Sequence, residues 1–491
     1  MSALGTGDMG SSTNHDYLPV SNPIPAFWSR DKDDFHNHRT TPELPQQADI
    51  VIIGGGYAGA AIAWHLVKDR SPSQPKQSIA LLEARGICEG ATGRNGGHLR
   101  PDLYGHIPTY IKRAGLEAAK ELAEFEIAHV PAMKEFIEKE QIDCDFVLAR
   151  TVDCWSNQEA ADAAKTVYEQ MSAHSLSYMR DVDFHYGKDA EGISGVKGCK
   201  AVATYTAGMM WPYKFIAHVL KSLVGSGDLN LQTYAPVTAV TPLDNGGFVV
   251  RTARGSVHAK KVVHASNAYV AGLLPEYSKN IIPCKGICCR ITVPKGKQAP
   301  FLANSYCDRT EDRTLSYLIP RPDGSIVVGG ASSKFKPHTE QWYNNVDDSA
   351  LIEAAKDYYD GYMQRTFRGW EDSHAKVDQI WTGVMSYSYD SNPHIGAVPD
   401  RTNQWICAGF NGHGMPVIWL AAKGLATMIS DDASFEQTGI PRLYKTTKER
   451  IERAQKGREE LGDIVGDGSL EAHSDDNCAT QPPVRKPMSR C

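Results

Sequence analysis

The chain has no apolar run that approaches the roughly 20 residues a helix needs to cross a bilayer. Its first segment, Met1 to Asp16, is rich in glycine and serine and lacks the hydrophobic region of a secretory signal. From these two absences we expect no membrane partner, no secretion and a cytoplasmic location.

Basic residues are too few to favour nucleic acid or an anionic membrane as a partner. Lysine and arginine together number 52 against 58 acidic residues, a formal net charge of -6. The 11 cysteines are odd in number, scattered, and include the vicinal pair Cys288-Cys289, a usage that indicates reduced thiols rather than a disulfide framework. None has zinc-like spacing with histidines, so no metal site is predicted.

What the chain does contain is typical of a large globular enzyme. Its 491 residues are 41% hydrophobic and 22% charged, which is enough to bury a sizeable core and predicts two domains.

The most informative motif is G-x-G-x-x-G at residues 54–59, which follows an apolar strand and opens a helical pattern. Gly54 permits a tight turn, Gly56 lets the backbone approach a pyrophosphate, and Gly59 lets the helix pack on the strand. A second apolar strand ends at Glu83, where a ribose hydroxyl needs an acceptor. The order of strand, turn, helix, strand and acid predicts a dinucleotide site.

The segment after this acid distinguishes between dinucleotides. Residues 88–99 are too rich in glycine and polar side chains for a crossover helix, so they are predicted to form a loop. Thr92, Arg94, Asn95 and His98 supply donors for a polar ring edge or a phosphate. Such a loop favours FAD over NAD.

These motifs resemble the FAD-dependent oxidoreductases of the D-amino-acid oxidase superfamily, within the glutathione-reductase-like flavoproteins. Two further segments carry the resemblance, residues 261–268 (KVVHASNA) and 405–415 (WICAGFNGHGM). The second leads into an apolar helix, Pro416 to Ile429, whose positive N-terminal end would suit an anionic reduced flavin. The resemblance spans residues 48–443.

The resemblance implies an α/β fold, in which a Rossmann-like FAD-binding domain of glutathione-reductase type carries an inserted antiparallel-sheet substrate domain of α+β character. The predicted boundaries are an N-terminal arm at 1–47, a discontinuous FAD-binding domain at 48–110, 207–284 and 386–443, a substrate domain at 111–206 and 285–385, a charged helix at 444–462, and a disordered tail at 463–491.

Residue by residue, the resemblance implies a cofactor site for FAD drawn from six parts of the chain. Its predicted members are Gly54, Gly56, Tyr57, Ala58, Gly59, Glu83, Ala84, Arg85, Ala91, Thr92, Arg94, Asn95, Gly96, Gly97, His98, Leu99, Val237, Ala265, Ser266, Asn267, Gly409, Gly412, His413, Gly414 and Met415.

In the family, the substrate lies between the flavin and the sheet of the second domain, and its hydrogen passes to the flavin as a hydride equivalent. Amino-acid oxidases that resemble the segment Trp381 to Met385 carry an arginine at its fifth position, which binds the substrate carboxylate. This chain has Met385 there, which argues against a small α-amino acid unless Arg290, Arg313 or Arg321 replaces that arginine.

The segment 381–396 is closer to amine oxidases of the γ-glutamylputrescine-oxidase and sarcosine-oxidase-like branches, so an amine substrate is predicted. Candidate aromatic walls for the amine are Trp211, Tyr213, Tyr317, Trp381 and Tyr387.

Two departures from sarcosine oxidases limit what the resemblance implies. The cysteine that attaches their flavin corresponds to Met385, so the flavin is predicted to be non-covalent, with His98 as an alternative point of attachment. Their oxygen-activating lysine falls near Val327, and Lys285 is a candidate substitute. His413 is a candidate for stabilising negative charge on the reduced ring. The predicted catalytic set is His413, Lys285, Tyr317 and Met385.

Together these features predict an FAD enzyme that oxidises a CH-NH bond of an amine to an imine, with oxygen as the electron acceptor. One alternative is an oxidase or dehydrogenase of an α-amino acid, a hydroxy acid or a specialised metabolite. A hypothesis of another class is a non-catalytic flavoprotein, in which FAD is structural or senses redox state.

Overall fold

A computed structural model describes residues 17–70, 75–244, 246–309 and 315–461 of the chain. The strands are β1 Gln47–Ile53, β2 Ile79–Leu82, β3 His98–Leu99, β4 Val147–Trp155, β5 Asp183–Tyr186, β6 Ala201–Met209, β7 Asn230–Gln232, β8 Val237–Pro242, β9 Phe248–Thr252, β10 Gly255–His264, β11 Ile281–Thr292, β12 Ser305–Arg309, β13 Leu315–Pro320, β14 Ile326–Gly329, β15 Lys376–Ser388, β16 His394–Ala397 and β17 Gln404–Ala408.

Helices lie between these strands along the chain, and two helices follow the last strand. They are α1 Tyr57–Lys68, α2 Ile107–Ala114, α3 Leu116–Lys139, α4 Gln158–Ala173, α5 Ala190–Ser194, α6 Pro212–Gly225, α7 Ser332–Phe335, α8 Thr339–Trp342, α9 Tyr362–Thr366, α10 Ile418–Asp431 and α11 Lys448–Leu461. Among the residues described, no helix combines the length and apolarity needed to cross a membrane.

The first sheet has a parallel centre in the order β17-β10-β1-β2-β7. β16 extends one edge in the antiparallel sense, and the β8-β9 hairpin joins β10. The central strands are buried along almost their whole length, as expected of parallel strands covered on both faces. Helices α1 and α10 pack together, with α6 beside α1.

The second sheet runs β15-β11-β14-β13-β12-β4-β6-β3, with β5 paired to β6. All of its neighbouring strands are antiparallel except β12 and β4, which are parallel. The predicted α/β fold with a Rossmann-like domain and an inserted, mainly antiparallel sheet is confirmed.

Several predicted boundaries differ from the observed strands by a few residues. β3, predicted within the FAD-binding domain, pairs with β6 of the second sheet. β11 begins at Ile281 and β15 ends at Ser388, so both cross the boundaries predicted at 284 and 386. All three strands pair within the second sheet along their whole length, so their pairing partners place them there. The predicted tail at 463–491 lies outside the described residues.

Candidate active site

A deep cleft lies where the carboxyl ends of β1, β2 and β10 face the second sheet, the place where open α/β sheets bind ligands. Its empty space, mouth included, is about 1720 Å³. The predicted cofactor residues that line it are Gly54, Gly56, Tyr57, Ala58, Glu83, Ala84, Arg85, Ala91, Thr92, Arg94, Asn95, Val237, Ala265, Ser266, Asn267, Gly412, Gly414 and Met415.

At one end of the cleft, the chain turns from β1 into α1. Gly54 has φ +111°, and a Cβ there would lie 2.7 Å from the carbonyl oxygen of Ala265. A Cβ on Gly56 would lie 2.9 Å from the hydroxyl of Thr92, which accepts a hydrogen bond from the Tyr57 amide at 2.9 Å. The absence of side chains therefore keeps this backbone open to the cleft.

Glu83 lies beside that turn, at the end of β2. Its carboxylate accepts hydrogen bonds from the amides of Gly55 at 2.6 Å and Arg85 at 2.9 Å. Burial raises the pKa of Glu83, although the hydrogen bonds from the two backbone amides act to lower it. A carboxylate offers about four acceptor positions, so Glu83 can hold the turn and still accept from a ribose hydroxyl.

Two buried hydroxyl groups in the cleft lining have no hydrogen-bond partner among the residues that the structure describes. They belong to Ser266 and Tyr269, in the segment that follows β10. Buried polar atoms are nearly always satisfied in folded proteins, so these two indicate a polar ligand in the cleft. Together with the glycine turn and Glu83, they fit the phosphates and hydroxyls of FAD.

Arg85 and Arg94 line the cleft, and both guanidinium groups bind the fully buried carboxylate of Asp348. This carboxylate was not among the residues predicted from the sequence. Asp348 pairs with Arg85 through two contacts of 2.9 and 3.0 Å and with Arg94 at 3.2 Å. Arg94 also donates to the carbonyl oxygen of Thr382 at 2.7 Å. Arg94, one of the donors predicted for a phosphate or ring edge, is thus engaged with Asp348 and with β15 of the second sheet.

Asn267, with φ +48°, connects three segments that meet at the other end of the cleft. Its side-chain oxygen accepts from the Ser386 hydroxyl at 2.8 Å and from the Gly409 amide at 3.0 Å. α10 begins at Ile418, two residues after the predicted start, and Ile418 itself lines the cleft. The helix N-terminus therefore points toward this end, as expected.

Predicted residues that do not line the cleft are Gly59, Gly96, Gly97, His98, Leu99, Gly409 and His413. Gly59 has no room for a Cβ because the Gly54 carbonyl occupies that space. The ring of His98 bonds the Leu318 carbonyl at 2.9 Å, and burial lowers the pKa of His98 to about 4. His98 is therefore a neutral residue behind the cleft wall.

Tyr317 and Met385, two of the predicted catalytic residues, line the cleft opposite α10. The Tyr317 ring lies between Gly96 and Gly329, neither of which could carry a Cβ beside it. Its hydroxyl is 3.5 Å from the Cys288 sulfur, and burial raises the pKa of Tyr317 well above its usual value. Tyr317 is therefore a fixed, protonated hydrogen-bond donor.

Met385 lies across the same end of the cleft. A Cβ on Gly286 would be 2.5 Å from its terminal methyl, and one on Gly412 would be 3.0 Å from its sulfur. Both glycines line the cleft, so the Met385 side chain reaches between β11 and the turn before α10.

The other two predicted catalytic residues lie outside the cleft lining. Burial alone would lower the pKa of His413, but the Glu126 carboxylate, 2.8 Å from its ring, outweighs that effect and raises it. Lys285 is 2% exposed and precedes Gly286, which lines the cleft, so the alternation of β11 directs Lys285 to the opposite face. Its suggested place over the flavin is not supported by this geometry.

The arginines considered as substitute carboxylate ligands are engaged elsewhere. Arg290 bonds Asp378 at 2.5 Å and Asp323 at 2.9 Å, and Arg321 pairs with Asp145. Neither lines the cleft, and Arg313 lies outside the described residues.

Of the candidate aromatic walls, only Tyr317 is among the lining residues that the structure describes. Trp211, Tyr213 and Trp381 are buried in the main hydrophobic core. Tyr387 borders the second core and lies outside the lining. Lining residues that sequence reasoning missed include Tyr17, Leu18 and Pro19 of the arm, Tyr269, Cys288 and Phe410.

Fold and cleft together define a flavoprotein of mixed α/β fold. The sequence matches the family of FAD dependent oxidoreductases (DAO) over residues 49–428, and the chain belongs to that family. It is therefore an oxidoreductase whose cofactor is FAD.

Curated relatives of this chain carry names that concern amines or amino acids. Gamma-glutamylputrescine oxidoreductase of Escherichia coli K12 is 26% identical over 395 residues, covering 78% of this chain and 84% of the relative. Glycine oxidase of Bacillus licheniformis is 22% identical over 397 residues, covering 79% of this chain and 94% of the relative.

Solved structures share the fold. L-proline dehydrogenase from P. horikoshii superposes with a TM-score of 0.63 at 19% identity, covering 84% of this chain and 99% of that structure. Glycine oxidase from Geobacillus kaustophilus gives a TM-score of 0.60 at 20% identity, covering 82% of this chain and 99% of that structure.

Proposed function

We propose that this enzyme oxidises a CH-NH bond of an amine that carries no α-carboxylate, forming an imine that water hydrolyses, with oxygen as the electron acceptor. The observation that carries the proposal is Met385, which lines the cleft at the position where related amino-acid oxidases have a carboxylate-binding arginine.

The lining around Met385 supports a neutral reacting group. Among the described residues, the charged side chains that line the cleft are Glu83 and Arg85, beside the glycine turn, and Arg94, which packs on Gly383 and is already bonded to Asp348 and the Thr382 carbonyl. The lining at the other end comprises Gly286, Cys288, Tyr317, Gly383, Val384, Met385, Phe410, Gly412, Gly414, Met415 and Ile418. An unpaired carboxylate there would lose hydration without gaining a bidentate partner.

When bound, FAD supplies the hydride acceptor for this chemistry. Met385, Phe410 and Val384 exclude water from the reacting carbon, and the protonated Tyr317 hydroxyl offers one hydrogen bond. With no carboxylate or imidazole among the described lining residues at this end, the amine enters as the neutral base, whose lone pair assists loss of hydride.

A second candidate is an α-amino acid substrate, which the glycine oxidase names among the relatives favour. The two candidates differ in the charge they bring to the cleft.

Stopped-flow reduction of the flavin distinguishes them. We expect an alkylamine to reduce it at least tenfold faster than its α-carboxylated analogue at equal concentration, a difference of about 1.4 kcal/mol. Met385→Arg should shift the preference toward the amino acid, because it restores the bidentate partner. Met385→Leu, which keeps the apolar volume, is the matched control and should leave the preference unchanged.

A wild-type preference for the carboxylated substrate would overturn the amine proposal. A flavin that stays oxidised with every substrate tried would instead favour the structural or redox-sensing hypothesis. Oxygen consumption during turnover tests the proposed acceptor separately.

Acid precipitation of the holoprotein is expected to release the flavin into the supernatant. Met385 cannot form the thioether of sarcosine oxidases, and Cys288 is the one cysteine in the described cleft lining. Burial raises the pKa of Cys288 to about 11, which keeps it a poorly nucleophilic thiol near neutral pH. A yellow pellet would contradict this, and Cys288→Ser and His98→Ala would then locate the bond.

A further inference from the structure

The N-terminal arm contributes to the cleft from outside the residues that match the family. The match begins at residue 49, yet Tyr17, Leu18 and Pro19 line the cleft together with Glu83, Arg85 and the rest of the dinucleotide end. All three are half-buried. We call residues 17–24 the strap.

Hydrogen bonds fix where the strap crosses the cleft. The Val20 carbonyl accepts from Arg85 at 3.2 Å, and the Ile24 amide donates to the Asp348 carbonyl at 2.9 Å. Arg85 follows Glu83 by two residues, so the strap lies over the end of the cleft that the glycine turn and Glu83 form. Because Asp348 also pairs with Arg85 and Arg94, the strap is bonded to the charged group that joins the two sheet regions.

The residues that follow the strap anchor it. Phe27 and Trp28 are 1% and 0% exposed and pack against Trp211 with ring centroids 5.0 and 5.6 Å away. The Trp28 indole donates to the Asn95 carbonyl at 2.6 Å, and the Trp211 indole donates to the Trp28 carbonyl at 2.6 Å. Asn95 itself lines the cleft, so the anchor holds the strap and the cofactor loop in one unit.

We propose that Tyr17, Leu18 and Pro19 are FAD-binding residues and that the strap closes over the adenine end of the bound cofactor. Their apolar surface suits the faces of an adenine ring, as does that of Leu82, Val237 and Leu273 in the same lining. FAD held beneath the strap leaves only when Tyr17 to Pro19 move away, so the strap sets the release rate.

The test measures FAD release from full-length holoprotein by the rise in flavin fluorescence after dilution, without substrate. We expect Tyr17→Ser/Leu18→Ser/Pro19→Gly to release FAD at least tenfold faster than wild type. The matched control, Lys32→Ala/Asp34→Ala/Glu43→Ala, changes exposed residues of the arm outside the strap and should stay within twofold of wild type. Release that is equally slow in all three proteins would overturn the proposal.

Hydrogen exchange on the wild-type chain provides a second readout that needs no variant. The amides from Leu18 to Ile24, Pro19 and Pro23 excepted, should exchange at least tenfold more slowly in holoprotein than in apoprotein, because FAD fills the space beneath them. Equal exchange in the two forms would show that the strap does not respond to the cofactor. Neither measurement uses a substrate, so their outcome is separate from that of the amine proposal.

Discussion

Gly56→Val protein is expected to lose FAD. Gly56 has φ -83°, which any residue can adopt, so the constraint is space rather than backbone conformation. Its Cβ would already lie 2.9 Å from the Thr92 hydroxyl, and the two methyl groups of valine would extend into the pyrophosphate approach. We expect at least a tenfold weaker affinity, about 1.4 kcal/mol, and a purified protein without yellow colour.

The matched control is Gly225→Val, at the end of α6, where a Cβ meets nothing within 4 Å. It should keep a full complement of FAD, measured by absorbance after acid release. Circular dichroism on both variants separates a local loss of binding from a loss of fold. Stoichiometric FAD in Gly56→Val would show that the pyrophosphate lies elsewhere in the cleft.

Asp348→Ala is expected to be among the most destabilising single changes in the chain. It removes the carboxylate from two guanidinium groups whose side chains are only 5% and 3% exposed, Arg85 and Arg94. Breaking a buried pair from one side costs about 3–5 kcal/mol, because the remaining charge stays buried without a partner. The urea midpoint should fall, and FAD should be bound more weakly because both arginines line the cleft.

Glu138→Ala is the control for this change, since Glu138 pairs with Lys134 at 2.6 Å on the exposed face of α3. Loss of such a pair costs about 0–1 kcal/mol, so the urea midpoint should hardly move. An Asp348→Ala protein with wild-type midpoint and wild-type FAD content would mean that the arginines find other acceptors. Asp348→Asn, which keeps the shape and part of the hydrogen bonding, should fall between the two.

The strap and Asp348 belong to one bonded group beside the cleft. The Arg85-Asp348-Arg94 group connects the cofactor loop to the second sheet, and the strap bonds to the same group through Val20 and Ile24. Cofactor binding, domain contact and the arm are therefore physically linked, so changes at any one of them should alter FAD retention.

The sequence by itself determined the dinucleotide turn, the acid at the end of β2 and the helix start beside the cleft. Gly54, Glu83 and Gly412 were predictable because their signals are local: a turn that needs positive φ, and strands and helices that follow from apolar spacing. The fold class followed from the resemblance that these pieces, in this order, bear to the D-amino-acid oxidase superfamily.

Only the tertiary structure decided which side chains face the cofactor. Asp348 bonds Arg85 across 263 residues of sequence, and no local pattern announces such a partner. His98 belongs to a motif that predicts a ligand contact, yet the Leu318 carbonyl holds its ring behind the wall. The strap lies within the N-terminal arm predicted at 1–47, and its place over the cleft depends on the packing of Trp28 against the distant Trp211. Local backbone preferences are encoded in neighbouring residues, whereas side-chain direction is settled by packing between distant ones.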